Sequence, residues 1–249
     1  MLSVAVLGAT GRMGREVVRA IAAAADCRLT GATVRPGADA GRDAGEVAGV
    51  ERSGVLLSDS PATAIAGAEV AIDFTLASAT SANLAACCAS GCALVIGVTG
   101  HDESTRGEID RAATRIPILL AANLSLGAGV LRRLAAAAAE ALPEDYDVAI
   151  LDFHHRHKRD APSGTALALG DAVAASRPDR RKPGFAAVRA GDIVGDHTVV
   201  FAGRGERIEL THRVQGRSSF AAGALSAARW LAAQPPGLYG MDDTMQDGP

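Results

Sequence analysis

The stretch SVAVLGATGRMG, residues 3–14, decides the fold. Its first five residues read as a short buried strand, and a glycine turn separates them from a helix that runs through about residue 25. Gly8, Gly11 and Gly14 stand at GxxGxxG spacing across that junction. Glycine lets the turn tighten and lets backbone N–H groups approach a phosphate at the positive end of the helix. The spacing alone is a weak signal. Its place between an N-terminal strand and a helix is what points to a dinucleotide.

The pattern repeats downstream. LTGATV (29–34), GVLLS (54–58), EVAIDFT (69–75), CALVIGVTG (92–100) and IPILLAANLS (116–125) read as strands, with helices expected at 61–67, 79–90 and 103–115. This alternation predicts an α/β fold with a Rossmann-type, doubly wound parallel sheet. Near residue 127 the pattern changes. A long Ala-rich helix (127–142), the strand YDVAILDF (146–153) and a helix at 163–176 lead into a basic loop, RPDRRKPG (177–184). Three strand-like runs near 185–191, 197–202 and 206–214 then follow without intervening helices, which predicts an α+β domain whose sheet is open on one face. SFAAGALSAARWLAA (219–233) reads as a final helix, and the tail from Gln234 as loosely ordered.

A net charge of −3 offers no basic footprint, so nucleic acid is excluded as a partner and an anionic membrane surface is not favoured. No apolar run spans a bilayer uninterrupted, and MLSVAVLGATG enters the first strand without a basic leader, so a cytoplasmic location is expected. Cys27, Cys87, Cys88 and Cys92 form no CxxC pair and read as reduced thiols of a reducing compartment.

Roughly 20 residues past the glycines, sites that prefer NAD place a carboxylate on the ribose 2′-hydroxyl. Here the second strand ends in Val34 and Arg35. With no acid present, Arg35 and Arg12 can pair with a 2′-phosphate through forked donors, which favours NADPH and leaves NADH the weaker cofactor. The strand ends DFT (73–75), GVTG (97–100) and AANLS (121–125) belong to the ligand-facing side of such a sheet, with Asn123 suited to a nicotinamide carboxamide. Each taken alone also reads as an ordinary turn.

FHHRHKRDAPSGTAL (153–167) gathers His154, His155, His157 and Lys158. A solvated basic loop, a metal site and an anion pocket compete for this stretch. On an extended chain His155 and His157 share a face and His154 points away, so three-ligand metal binding needs outside help and no metal is expected. Pro162 and Ser163 instead mark a helix start, with Ser163 as cap and the amides of Gly164 and Thr165 open to a carboxylate. A small dianionic substrate fits between those amides and the imidazole and ammonium groups.

Taken together, GATGRMG, GVTG, AANLS, HHRHKRDAPSGTAL, RAGDIVGDHTVVF and GERIELTHR resemble the 4-hydroxy-tetrahydrodipicolinate reductase family of the diaminopimelate branch of lysine synthesis. The resemblance covers nearly the whole chain. It implies a cofactor domain at 1–125 completed by 217–249, and a mixed-sheet substrate domain at 126–216 that assembles homotetramers. It places Gly8, Ala9, Thr10, Gly11, Arg12 and Met13 at the cofactor diphosphate and Arg35 at the 2′-phosphate. Gly97, Val98 and Thr99, with Ala121, Ala122, Asn123 and Leu124, fall at the nicotinamide. His154 takes the role of proton donor and acceptor and Lys158 that of proton donor, while His155, Gly164 and Thr165 contact a dicarboxylate substrate, with Ser163 beside them counted among the substrate-binding residues.

Three departures stand out. Val34 replaces an acid common in members that use both cofactors, Leu76 stands where some carry arginine, and the segment 177–185 is shorter than in longer members. The rival readings are a related reductase acting on another imine or keto dicarboxylate, and a non-catalytic NADP(H) sensor.

Overall fold

The computed structural model describes residues 1–245. The chain divides into two units, Met1–Leu124 together with the segment from Phe220, and Ser125–Ser219.

The first unit is built on β1 (Leu2–Leu7), α1 (Arg12–Ala22), β2 (Cys27–Thr33), α2 (Ala44–Ala48), β3 (Leu57–Ser58), α3 (Pro61–Ile65), β4 (Val70–Asp73), α4 (Thr80–Ser90), β5 (Ala93–Ile96), α5 (Glu103–Ala113) and β6 (Pro117–Leu120). Later in the chain, α8 (Ser218–Leu231) and β11 (Gly237–Tyr239) return to it. All strand pairs are parallel, in the order β11-β6-β5-β4-β1-β2-β3. The order reverses between β1 and β4, the switch point where this topology opens a crevice at the strands' carboxyl ends.

Alternation along the strands sorts the core into two layers. Val4, Val6, Val70, Ile72 and Val95 face Val17 and Ile21 of α1 and the alanine-rich side of α8. Ala5, Leu7, Ala71, Leu94 and Ile96 face Leu84 and Cys87 of α4 and Ile109 of α5. Both faces are buried, which is why β1, β4 and β5 are apolar apart from Ser3 and Asp73.

Three local expectations are corrected. GVLLS contributes only Leu57 and Ser58 as an edge strand, and Leu56 beside them is exposed. The glycine-rich stretch before it holds a short helix, α2, whose first amides at Gly45 and Glu46 are accepted by the buried Asp43 carboxylate. The tail from Gln234 is ordered as far as residue 245. β11 adds a parallel strand beside β6, Tyr239 stacks edge-on against Trp230 at 5.1 Å, and Met241 is buried. Residues 246–249 of that tail lie outside the described residues.

The second unit holds α6 (Leu126–Ala141), β7 (Asp147–His154), α7 (Gly164–Ser176), β8 (Gly184–Arg189), β9 (Gly195–Ala202) and β10 (Arg207–Val214). Its sheet, ordered β10-β9-β7-β8, is mixed: β7 runs parallel to β8 and antiparallel to β9, which is antiparallel to β10. Ile150, Val199 and Phe201 pack beneath Leu131 and Ala135 of α6 and Leu169 and Val173 of α7. By strand alternation Leu151, Phe153 and Val200 point to the other face, where they are only half-buried, and Val188 beside them is exposed.

Candidate active site

In the first unit the glycine turn is set by backbone geometry. Gly8 adopts φ +82°, a left-handed conformation that side chains disfavour. A Cβ at Gly14 would fall 2.1 Å from the Gly8 carbonyl oxygen, so only glycine lets α1 sit this close to the turn. Gly8 N–H donates to Thr33 Oγ1 at 2.8 Å, Ala9 N–H to the Thr33 carbonyl at 2.8 Å and Gly11 N–H to the Gly8 carbonyl at 3.0 Å. Those three amides are thus engaged within the protein, two of them by the end of β2 and one inside the turn. The helix starts at Gly11 with no side-chain cap and no acid in its first turn, so the amides of Arg12, Met13 and Gly14 have no intrahelical acceptor. This uncapped start, beside a turn that a Cβ would fill, fits a dinucleotide diphosphate. Of the six residues expected there from the sequence, Thr10, Arg12 and Met13 are the ones whose amides are not engaged by the turn or by β2.

The other predicted cofactor residues occupy the same carboxyl ends. Arg35 follows β2 and is exposed, as is Arg12, whereas Val34 is buried in the core. Gly97, Val98 and Thr99 follow β5, with Gly97 N–H donating to the Asp73 carbonyl at 2.9 Å. Ala121, Ala122, Asn123 and Leu124 follow β6, with Ala121 N–H donating to the Ile96 carbonyl at 3.1 Å. Asn123 is half-buried, while Leu76 is 66% exposed. Asp73 ends β4, fully buried. It accepts from Thr75 Oγ1 at 2.6 Å, Thr75 N–H at 2.8 Å and Asn83 Nδ2 at 2.8 Å. Burial raises its pKa, and these neutral donors offset that only in part.

In the second unit the histidine stretch begins at the last residue of β7. His154 points to the helix-covered face and is buried; His155 and His157 lie in the turn beyond it with ring centroids 6.2 Å apart. Lys158 Nζ pairs with Asp160 at 2.8 Å, and the ammonium holds the Asp160 pKa below its ordinary value. Gly164 and Thr165 form the first turn of α7, Gly164 exposed and Thr165 half-buried. Ser163 caps that helix, with Oγ accepting from Ala166 N–H at 3.2 Å and lying 3.1 Å from His197 Nε2. Ser163 is therefore set apart from the other predicted substrate contacts: it is buried and its hydroxyl is engaged within the protein.

Sequence reading missed the groups behind these residues. Asp152, two positions before His154 on the same strand face, is fully buried. Its Oδ1 lies 2.7 Å from His154 Nδ1 and 3.5 Å from His197 Nε2; its Oδ2 accepts from Arg189 at 2.9 Å and from Ser163 N–H at 2.7 Å. Burial works to raise the Asp152 pKa, but Arg189 and the Ser163 amide outweigh it and the net shift is downward. Burial lowers the pKa of His154, opposed by Asp152, and brings that of His197 down to about 4. A period-2 reading of YDVAILDF puts Asp152 beside His154; nothing local marks Arg189 or His197, which arrive from β8 and β9.

The ligand atoms of Asp152, His154 and His197 lie within 4.8 Å of one another, the spacing of a candidate cation site. Arg189 already brings a positive charge to that carboxylate at 2.9 Å, and the imidazole of His154 lies 2.7 Å from its other oxygen. The arrangement is better matched to an internal charge network than to an ion.

A glycine turn before an uncapped helix at the switch point of a parallel sheet in one unit, and histidines and a lysine beside a helix start in the other, match an oxidoreductase of the Rossmann type. The sequence pattern of the dihydrodipicolinate reductase N-terminus matches residues 2–124, and that of its C-terminus residues 127–245. On both halves, then, the chain belongs to the dihydrodipicolinate reductase family. The 4-hydroxy-tetrahydrodipicolinate reductase of Alkalilimnicola ehrlichii is 47% identical over 97% of this chain and 98% of its own length. That of Thiobacillus denitrificans is 47% identical over 97% of each. Among solved structures, the dipicolinate-bound dihydrodipicolinate reductase of Paenisporosarcina sp. TG-14 superposes with a TM-score of 0.81 at 23% identity, covering 98% of this chain and 99% of that one. An amine dehydrogenase from Mycobacterium smegmatis shares the fold at a TM-score of 0.66 and 14% identity. Members of the family use a nicotinamide cofactor. Among the described residues no helix is long and apolar enough to cross a membrane.

Proposed function

We propose that this chain reduces 4-hydroxy-tetrahydrodipicolinate to tetrahydrodipicolinate in lysine biosynthesis, preferring NADPH, and does so in the cytoplasm as a homotetramer. One observation carries the reading. His154, Lys158 and the start of α7 are gathered at one end of the mixed sheet, in a chain 47% identical to enzymes of that name across both units. The dipicolinate bound to the structural relative is a planar ring with two carboxylates, which suits the chemistry of the same groups.

The α7 amides at Gly164 and Thr165 hold one substrate carboxylate, and His155 contributes positive field toward the other. When bound, the nicotinamide supplies a hydride to the conjugated ring left by loss of the 4-hydroxyl. Lys158 delivers the proton that the ring then requires, with His154 as partner in the exchange. A positioned proton donor contributes roughly 10²–10⁴-fold, so Lys158→Ala lowers kcat by about that factor while NADPH binding, which rests on the first unit, is unchanged. Asp160 holds the ammonium in place until a substrate carboxylate competes for it.

Arg12 and Arg35, exposed at the ribose end, support NADPH over NADH. The uncovered face of the mixed sheet, with Leu151, Phe153, Val188 and Val200, supports assembly of several chains. Reduced cysteines suit a reducing compartment.

The test couples the protein to the synthase that makes its substrate from pyruvate and aspartate semialdehyde, and follows loss of the reduced-nicotinamide absorbance. Turnover with NADPH is expected, and turnover with NADH at lower efficiency. No turnover with either cofactor would sink the assignment; equal efficiency would sink the cofactor preference. Sedimentation should give the four-chain mass.

A further inference from the structure

We infer that Asp152 is a positioning residue of this enzyme: one buried carboxylate fixes both the ring of His154 and the backbone that opens the α7 anion site. The inference rests on the reading of His154 as a proton-handling residue.

The geometry divides the work of the carboxylate between its two oxygens. Oδ1 faces His154 Nδ1 at 2.7 Å; Oδ2 accepts from Ser163 N–H at 2.7 Å, the residue immediately before the α7 amides. A carboxylate charge 2.7 Å from Nδ1 favours the ring form that carries its proton there, which leaves Nε2 as the edge for the exchanged proton. Gly195 keeps that edge open. A Cβ on Gly195 would lie 3.0 Å from His154 Nε2 and 3.4 Å from Cδ2, within the space a donor needs. The rest of the shell faces the same pair. Arg189 reaches from β8 to Asp152 Oδ2 at 2.9 Å and to the Asp160 carbonyl at 2.6 Å, and Lys158 pairs with Asp160. His197 comes from β9, its ring 5.2 Å from that of His154 and its Nε2 3.1 Å from Ser163 Oγ. His212 follows on β10, opposite His197 in register. The proton-exchanging ring, the lysine loop and the carboxylate-binding helix start are thereby tied to a single anchor. In the proton step imidazolium passes its Nε2 proton to the Lys158 amine, which has given its own to the substrate ring, and returns to the neutral ring with Nδ1–H facing Asp152.

Asp152→Asn keeps an oxygen for Ser163 N–H and removes the charge. Its expected signature is a kcat lower by about 10²-fold, with dipicolinate binding changed by less than about twofold. The alkaline limb of the kcat profile, which reports loss of the His154 proton, should move to lower pH by about one unit, because a negative charge that favoured imidazolium is gone. A role confined to stability would move neither the limb nor kcat separately from binding. His154→Gln is measured in parallel. Impaired His154→Gln with wild-type kcat and limb in Asp152→Asn overturns this inference alone, whereas wild-type kcat in His154→Gln overturns the reading beneath it. Should Asp152→Asn fail to fold, nitrogen NMR of the imidazoles in the unaltered protein decides. A neutral His154 protonated at Nδ1 is the expected tautomer, and one protonated at Nε2 ends the proposal.

Discussion

Asp73 and Asp152 are both fully buried carboxylates on strands, yet they end up with opposite electrostatics. Asp73 closes β4 of the parallel sheet among neutral donors, Thr75 and Asn83, and its pKa is raised. Asp152 lies near the end of β7 among Arg189, two histidines and the Ser163 amide, and its pKa is lowered. Neither side chain reaches solvent, but Asp73 lies the deeper of the two and has only neutral donors, so burial and partners together set the direction of each shift. The two units follow that division. The dinucleotide crevice is shaped by backbone, glycine and neutral hydrogen bonds, while the histidine–lysine end of the mixed sheet is a network of paired charges.

The largest effect expected from this contrast is on stability. Asp152→Ala leaves the half-buried Arg189 and the buried His154 and His197 without their carboxylate and should cost about 3 kcal/mol or more in denaturant unfolding. A loss under about 1 kcal/mol would show that water already screens the pair. Acid gives the next largest. His197 has a folded pKa of about 4 against an ordinary 6.5, so the unfolded chain takes up a proton that the folded one refuses. That stability is complete above pH 6.5 and is lost as pH falls toward 4, by roughly 3 kcal/mol. His154, shifted the same way, adds to it. Unfolding curves that are flat across this window would contradict the neutral, buried state of both rings.

Gly14→Ala probes the backbone-built side. Its methyl group would meet the Gly8 carbonyl at 2.1 Å, a clash between backbones that no side-chain rotation relieves. It should cost about 1–3 kcal/mol and weaken NADPH binding, measured by titration, without affecting dipicolinate. The smallest effect belongs to Asp73→Asn, which keeps acceptors for Thr75 and abolishes the penalty of a buried charge. Unfolding should change by about 1 kcal/mol or less. It should also remove an opposite pH trend, since a raised folded pKa makes Asp73 stabilising at acid pH, with the benefit lost as pH rises above 3.8 toward the folded value.

Much of this fold was legible residue by residue. Strand–helix alternation through residue 125 set the parallel sheet, and the change of pattern near 127 set the second unit. The short elements escaped. β3 and β11 contain two and three residues, too few for any periodicity, and exist because neighbouring strands offer them hydrogen bonds. α2 escaped because glycines surround it, and its helix depends on the Asp43 cap. At the site, the glycine turn and the His154–Lys158 run could be seen at once because their members are contiguous. What could not be seen was that Gly8 and Ala9 spend their amides on Thr33 of β2 and Gly11 its own within the turn, or that Ser163 is turned inward to His197.

Local chemistry is written in neighbouring residues: which segments are apolar enough to be buried strands, where a helix start is left uncapped, and where cationic side chains are gathered. The sequence by itself determined those. Only the tertiary structure decided that the Asp152 pKa is lowered despite burial, because Arg189 and His197 reach it from strands 37 and 45 positions further along the chain. Pairing between β7, β8 and β9 brings these groups together, and electrostatic energy depends on distance in space rather than on separation along the chain.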